Sequence, residues 1–342
     1  MSTFAATTAV FSFDDITRTF SDGQLDAWIA LATLFVTVVG VWALGIYDVA
    51  VLANRPYRRV GVSQSRIAWR RFRRNRLAMA GLAIMAILYW VTLLAPFLAP
   101  FDPNFQGDIV LNRYLPPAAE HLFGTDKFGR DIFSRVLYGA RISLTIGFLA
   151  VAISISLGVM VGAVAGYFRG FVDTAIARLI DMLLSIPRLI LLLVVIAIFE
   201  PSIFLIVAVL GVTGWEGSAR IVRGQFLQLR EQEFVQAARA LGYSDGRIML
   251  RHILPNTLAP IIVIDTLNIG NTILLEAALS FLGLGVQPPT ASWGSMVSDG
   301  RAAMITAWWI STFPGLAIVL TVISFNLLGD GLRDALDPRL RN

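Results

Sequence analysis

The sequence predicts an all-α fold, a polytopic bundle of about seven transmembrane helices. Composition, the length of the apolar runs and the placement of arginine carry that prediction. Hydrophobic residues make up 56% of the 342 and charged residues 15%, where a soluble domain averages about 25% charged. Mean hydropathy is +0.70. The formal net charge is +5, yet the basic residues gather at the ends of apolar runs, as membrane topology requires. Nucleic acid is therefore excluded as a partner. Cysteine is absent, which removes disulfide and thiol chemistry.

A helix needs about 20 mostly apolar residues to cross the bilayer core. Such runs lie at roughly 27–50, 78–98, 142–167, 174–199, 202–215, 258–279 and 304–328. The first belongs to an extra N-terminal segment, 27–53. The fifth is short, and either continues through Gly217 to Arg220 or re-enters the membrane. Nine arginines and no acid occupy the linker 54–77, which places it in the cytoplasm. The tail 1–26 carries Asp14, Asp15, Asp22 and Asp26 against Arg18, so it belongs outside. It lacks the basic start and the short apolar core of a secretory signal. Counting onward, segment 78–141 supplies one span and an outer loop. Segment 142–342 is the core, and the C-terminus is cytoplasmic.

The outer loop 101–141 has too few apolar residues for a core of its own and is expected to pack over helix ends. Its charges Asp126, Lys127, Arg130 and Asp131 either touch a partner or form a solvated turn. Gly158, Gly162 and Gly166 recur every four residues. They give one helix face flat enough for close helix contact, unless they only reflect the glycine content of membrane helices. Asp265, Asn268, Asn271, Thr272 and Glu276 share one helical face. Polar groups at that depth face a cavity or a partner, so the stripe lines a translocation path or a seam between subunits. Arg188, beside Pro187, reads the same way, or pairs with an acid such as Glu276. Arg178 and Asp181 have the i, i+3 spacing of a helical ion pair.

The cytoplasmic stretch "EFVQAARALGYSDGRIMLRHILPN", residues 233–256, is charged and helix-prone at both ends. Gly242 can end the first helix in a left-handed conformation. Ser244 or Asp245 can cap a second, and the chain is expected to turn back into the membrane at Pro255 and Asn256. Ala237 and Ala238 allow another protein surface to come close. The alternative, a helix lying in the headgroups, needs a longer apolar face than this stretch has.

The spacing of Gln236-Ala237-Ala238, Gly242 and His252-Ile253-Leu254-Pro255 resembles the EAA loop of ABC importer permeases. Gln stands in place of the family's Glu, and His252 where Ile is usual. "FGTDKFGRDIFSRVLYGARISL" (123–144), "LEAALSFLGLGVQPPTASWGSM" (275–296) and "NLLGDGLRDALDPRLR" (326–341) resemble further signatures of the dipeptide/oligopeptide and nickel branch. The likeness spans about residues 70–342 and leaves the 27–50 run without a counterpart.

The resemblance implies a C-type permease subunit with the type I ABC importer permease fold, in a bacterial or archaeal cytoplasmic (inner) membrane. It implies half of a pore completed by a homologous second permease subunit. Two ABC ATPase subunits bind below, a substrate-binding protein docks outside, and membrane lipid surrounds the rest. Glu233, Gln236, Ala237, Ala238, Gly242, Asp245, Arg247, His252 and Pro255 would form the ATPase-coupling loop. Asp126, Lys127, Arg130 and Asp131 would meet the binding protein. Peptides, nickel chelates, glutathione and opine-like solutes all fit as cargo.

The sequence assigns no cofactor to this chain. A phosphate-binding loop needs a Gly-Lys-Ser/Thr unit, and the only lysine, Lys127, lies between Asp126 and Phe128. ATP and Mg2+ would therefore be bound by partner subunits. His121 and His252 fall on opposite sides of the membrane and cannot share a metal, and no protease or hydrolase motif is present. A secondary transporter would show inverted repeats and broken helices, and the sequence shows no internal repeat.

Overall fold

A computed structural model describes residues 64–199 and 202–336. The 27–50 run, the tail before it and residues 337–342 lie outside the described residues. Within them every named element is a helix, and the only bridge links Thr125 to Asp131.

Helix α1 (Gln64–Arg74) precedes α2 (Arg76–Leu93), whose first turn is capped by Asn75. The Asn75 side chain accepts from the amides of Leu77 and Ala78 at 3.1 and 3.2 Å, satisfying donors that a helix start leaves unpaired. The third apolar run begins earlier than hydropathy suggests. Helix α3 (Ile132–Phe168) is 37 residues long, because Asp131 caps it by accepting from the Ser134 amide at 2.7 Å.

The fourth run is not one straight span. It divides into α4 (Gly170–Ser185) and α5 (Arg188–Ile198), bent by 86°. Pro187 is the cause: it pushes the residue before it out of the helical region, and Ile186 is extended at ψ 126°. The short fifth run does continue. Helices α6 (Ile203–Val212) and α7 (Trp215–Leu229) meet at Thr213–Gly214 and together are long and apolar enough for one span.

Helix α8 (Glu233–Ala240) follows, and then a rod without a break. The turn Asp245–Ile248, a π-helical turn Met249–Ile253 and α9 (Leu254–Phe281) form one 37-residue span. The expected turn at Pro255 and Asn256 does not occur. Pro255 sits in the first turn of α9, where proline is tolerated, and the π-helical turn before it takes up the altered spacing. Helices α10 (Trp293–Gly300) and α11 (Trp309–Leu336) complete the chain.

Helix α3 is the centre of the bundle. A Cβ on Gly158 would lie 2.8 Å from the Ser218 Cβ, on Gly162 2.5 Å from the Ala219 carbonyl, and on Gly166 2.6 Å from the Arg223 carbonyl. The glycine stripe is therefore the surface on which α7 rests, backbone against backbone. On another side Met85, Leu144, Ile273, Trp293 and Phe325 pack together and join α2, α3, α9, α10 and α11. The outer loop does pack over helix ends. Tyr114 and Phe123 cover a cluster that includes Ile132, Met296 and Trp309, and the Trp309 indole donates to the Thr125 carbonyl at 3.1 Å.

Candidate functional site

The loop of residues 233–256 is bent at one position. Gly242 has φ +75°, and its amide donates to the Arg239 carbonyl at 2.9 Å while the Tyr243 amide reaches Ala238 at 3.2 Å. This paired closure needs a left-handed residue, which glycine supplies at low cost. Ser244 occupies the cap position of the next helical turn, but its side chain makes no capping bond. Asp245 is instead taken by Tyr167, whose hydroxyl donates to it at 2.5 Å.

Tyr167 fastens the loop to the end of α3. The Arg230 guanidinium donates to its carbonyl, and the guanidinium carbons of Arg230 and Arg239 stand 5.7 and 5.5 Å from its ring. From sequence, a tyrosine at a span end reads as an interfacial aromatic. Nothing in its neighbours marks it as an anchor. On the loop itself, Arg247 lies 4.3 Å over the Tyr243 ring, and the half-buried His252 stacks on that ring at 5.6 Å.

Helix α8 has two unlike faces. Val235 and Ala238 are buried in the chain, so Ala238 does not offer its small side chain to a partner. Glu233, Gln236 and Ala237 are exposed, and beside them stand Phe234, 42% exposed, and Leu241, 72% exposed. The Gln236 amide donates to the Glu231 carbonyl at 3.1 Å. Pro255 is half-buried.

The polar residues of α9 divide by environment. Asp265 is buried and accepts from Ser218 of α7 at 2.7 Å and from Asn268 at 3.2 Å. Glu276 is fully buried, with Ser143 of α3 at 3.1 Å and Ser280 at 2.8 Å. The same serines accept from the amides of Trp293 and Val286, each at 3.2 Å, so one carboxylate organises α3, α9 and the segment entering α10. Thr272 is buried, Asn268 half-buried and Asn271 exposed.

Arg188 does not pair with Glu276. It opens α5 at the bend and donates to the Leu210 carbonyl at 3.0 Å. Among the described residues its Nε and the Oε2 of Glu216 are both enclosed without a hydrogen-bond partner. Asp181 is held by Arg220 at 2.5 Å rather than by Arg178. Asp173 pairs with Arg223, so two ion pairs bind α4 to α7.

The outer-loop charges are neither a solvated turn nor a free surface. Asp126, Arg130 and Asp131 are buried. Asp126 accepts from the Arg130 side chain at 2.6 Å and from the amides of Phe128 and Arg130 at 2.8 and 3.0 Å. Asp131 adds His121 at 2.9 Å to its capping bond. Lys127, the most open of the four, bonds to Asp299 of α10 at 2.9 Å.

A helical bundle with this many apolar helices long enough to cross a membrane is a multi-pass membrane protein. Residues 158–342 match the family model "binding-protein-dependent transport system inner membrane component", and residues 63–117 match the N-terminal TM domain of oligopeptide transport permease C. The chain belongs to the family of binding-protein-dependent transport system inner membrane components. It is 45% identical over 285 residues to the dipeptide transport system permease protein DppC of Bacillus subtilis (strain 168), covering 83% of this chain and 88% of that protein. It is 46% identical over 275 residues to the glutathione transport system permease protein GsiD of Escherichia coli O6:K15:H31 (strain 536 / UPEC), covering 80% and 90%. A solved structure of the MetNI methionine ABC transporter matches with a TM-score of 0.50 at 17% identity, covering 60% of this chain and 98% of that one. The fold is that of the type I ABC importer permeases.

Proposed function

We propose that this chain is the transmembrane permease subunit of an ATP-driven importer for peptides or closely related small solutes, and that residues 233–256 couple it to cytoplasmic ATPase subunits. ATP is hydrolysed by those partners. A homologous permease completes the pore, and an extracytoplasmic binding protein delivers the solute. One observation carries the coupling reading. The exposed face of α8 is joined, through a single glycine bend, to an unbroken helical rod from Asp245 to Phe281. A push on α8 is thereby passed to a helix that crosses the membrane. Phe234, Ala237 and Leu241 form the contact face, with Glu233 and Gln236 at its rim. Gly242 sets the angle. Asp245, Arg247, His252 and Pro255 hold the joint from behind.

The identity with DppC and GsiD supports a peptide-like cargo. Arg188, Asn268 and Asn271 have surface or unpaired donors to offer the path. Asp265 and Glu276 serve that path indirectly, by holding α9 against α7 and α3. The N-terminus lies outside and the C-terminus in the cytoplasm.

Copurification tests the assembly. A tagged chain drawn from its native membrane brings with it a second permease and ATPase subunits; recovery of the chain alone refutes the proposal. Labelled dipeptide uptake should vanish when the gene is deleted and return with the intact chain. Uptake indifferent to the deletion removes the peptide assignment.

A further inference from the structure

The arginine-rich helix α1 is not explained by topology alone. Phe72 is buried beside Ala78 and Ala335, with Leu328 and Leu332 packed around them, so α1 is fixed against α2 and α11. The Trp69 ring stacks on Phe72 at 5.9 Å and is itself 53% exposed. Beside it lies an open depression of about 300 Å³ lined by Trp69, Arg70, Arg73 and Arg74. All three arginines are exposed, and among the described residues none has a carboxylate within ion-pair distance. The nearby Asp334 faces Asn75, at 3.4 Å. Helix α1 ends at Arg74, and α2, a candidate span, starts at Arg76. The depression therefore stands where the hydrocarbon begins, at the depth of the lipid phosphates.

We propose that the depression formed by Trp69, Arg70, Arg73 and Arg74 binds the phosphate headgroup of an anionic membrane lipid. Guanidinium groups match phosphate oxygens in two-point contacts, and three on adjacent turns surround one headgroup. Tryptophan prefers the headgroup level, and its ring forms an apolar wall for the lipid's glycerol and upper chain. A free phosphate would have no use for that wall. The site is held in place because Phe72, on which the Trp69 ring stacks, is locked into the bundle.

The test is lipid binding to the full-length chain in detergent, followed by native mass spectrometry, with phosphatidylglycerol, phosphatidylcholine and inorganic phosphate as probes. Phosphatidylglycerol is expected to be retained in preference to phosphatidylcholine, and excess inorganic phosphate is expected not to displace it. R70Q/R73Q/R74Q should weaken retention by about a hundredfold. R70K/R73K/R74K should recover part of it, since charge remains but the fork does not. W69A leaves every charge and Phe72 in place and serves if the triple variant fails to fold; about tenfold weaker retention is expected. Wild-type retention by the variants overturns the proposal. So does displacement by inorganic phosphate, which would mark a free-anion site.

Discussion

Gly242 bends the coupling loop at φ +75°, and a Cβ built there meets nothing within 4 Å. The space is open, so the cost of a side chain within this chain is one of conformation. Gly242→Ala should destabilise by about 1 kcal/mol, and a β-branched residue by more. A lower melting midpoint of the purified chain checks this. Glu276 is a different case. It receives hydroxyl bonds from Ser143 and Ser280 in a fully buried pocket. Glu276→Ala strands both hydroxyls, at about 1–3 kcal/mol each, while Glu276→Gln keeps an acceptor. The alanine variant should melt well below the glutamine variant; equal midpoints would show that the network holds nothing together. A line of polar residues on one helical face was legible in the sequence. That Asp265 and Glu276 are enclosed while Asn271 is exposed was not, because their partners Ser218 and Ser143 come from helices far away along the chain.

Helices were legible where hydropathy alone decides them. The runs at 78–98, 258–279 and 304–328 fall on α2, α9 and α11, and the stripe of Gly158, Gly162 and Gly166 does meet another helix. Their ends were less so, since caps and breaks depend on single polar residues and prolines. The bond from the Ser134 amide to Asp131 starts α3 early, and Pro187 turns the fourth run through 86°. The charges of the outer loop read either as a partner contact or as a solvated turn, because neither the burial of Asp126 and Arg130 nor the distant Asp299 can be read from local sequence. The glycine stripe gives a sharp test at this scale. Gly162→Val places a Cβ 2.5 Å from the Ala219 carbonyl, which a backbone cannot yield cheaply. It should destabilise by about 2 kcal/mol or more by prying α3 from α7. An unchanged melting midpoint would mean that the two helices do not pack in this way.

Across the whole molecule, the outer loop and the coupling loop must lie on opposite sides of the membrane for the chain to act as proposed. The native chain has no cysteine, so single cysteines at Glu120 and Leu241 can be labelled with an impermeant reagent in intact cells. Glu120 should react and Leu241 should not until the membrane is opened; reaction of both from outside would invert or abolish the proposed topology. Coupling itself is tested most directly by solute-stimulated ATP hydrolysis in the reconstituted importer carrying Leu241→Asp. Leu241 is 72% exposed, so the substitution leaves the bundle folded and places a charge in the apolar contact with the ATPase. Loss of stimulation with the chain still folded is the expected result. Stimulation at the wild-type level would contradict the assignment of this loop as the coupling element.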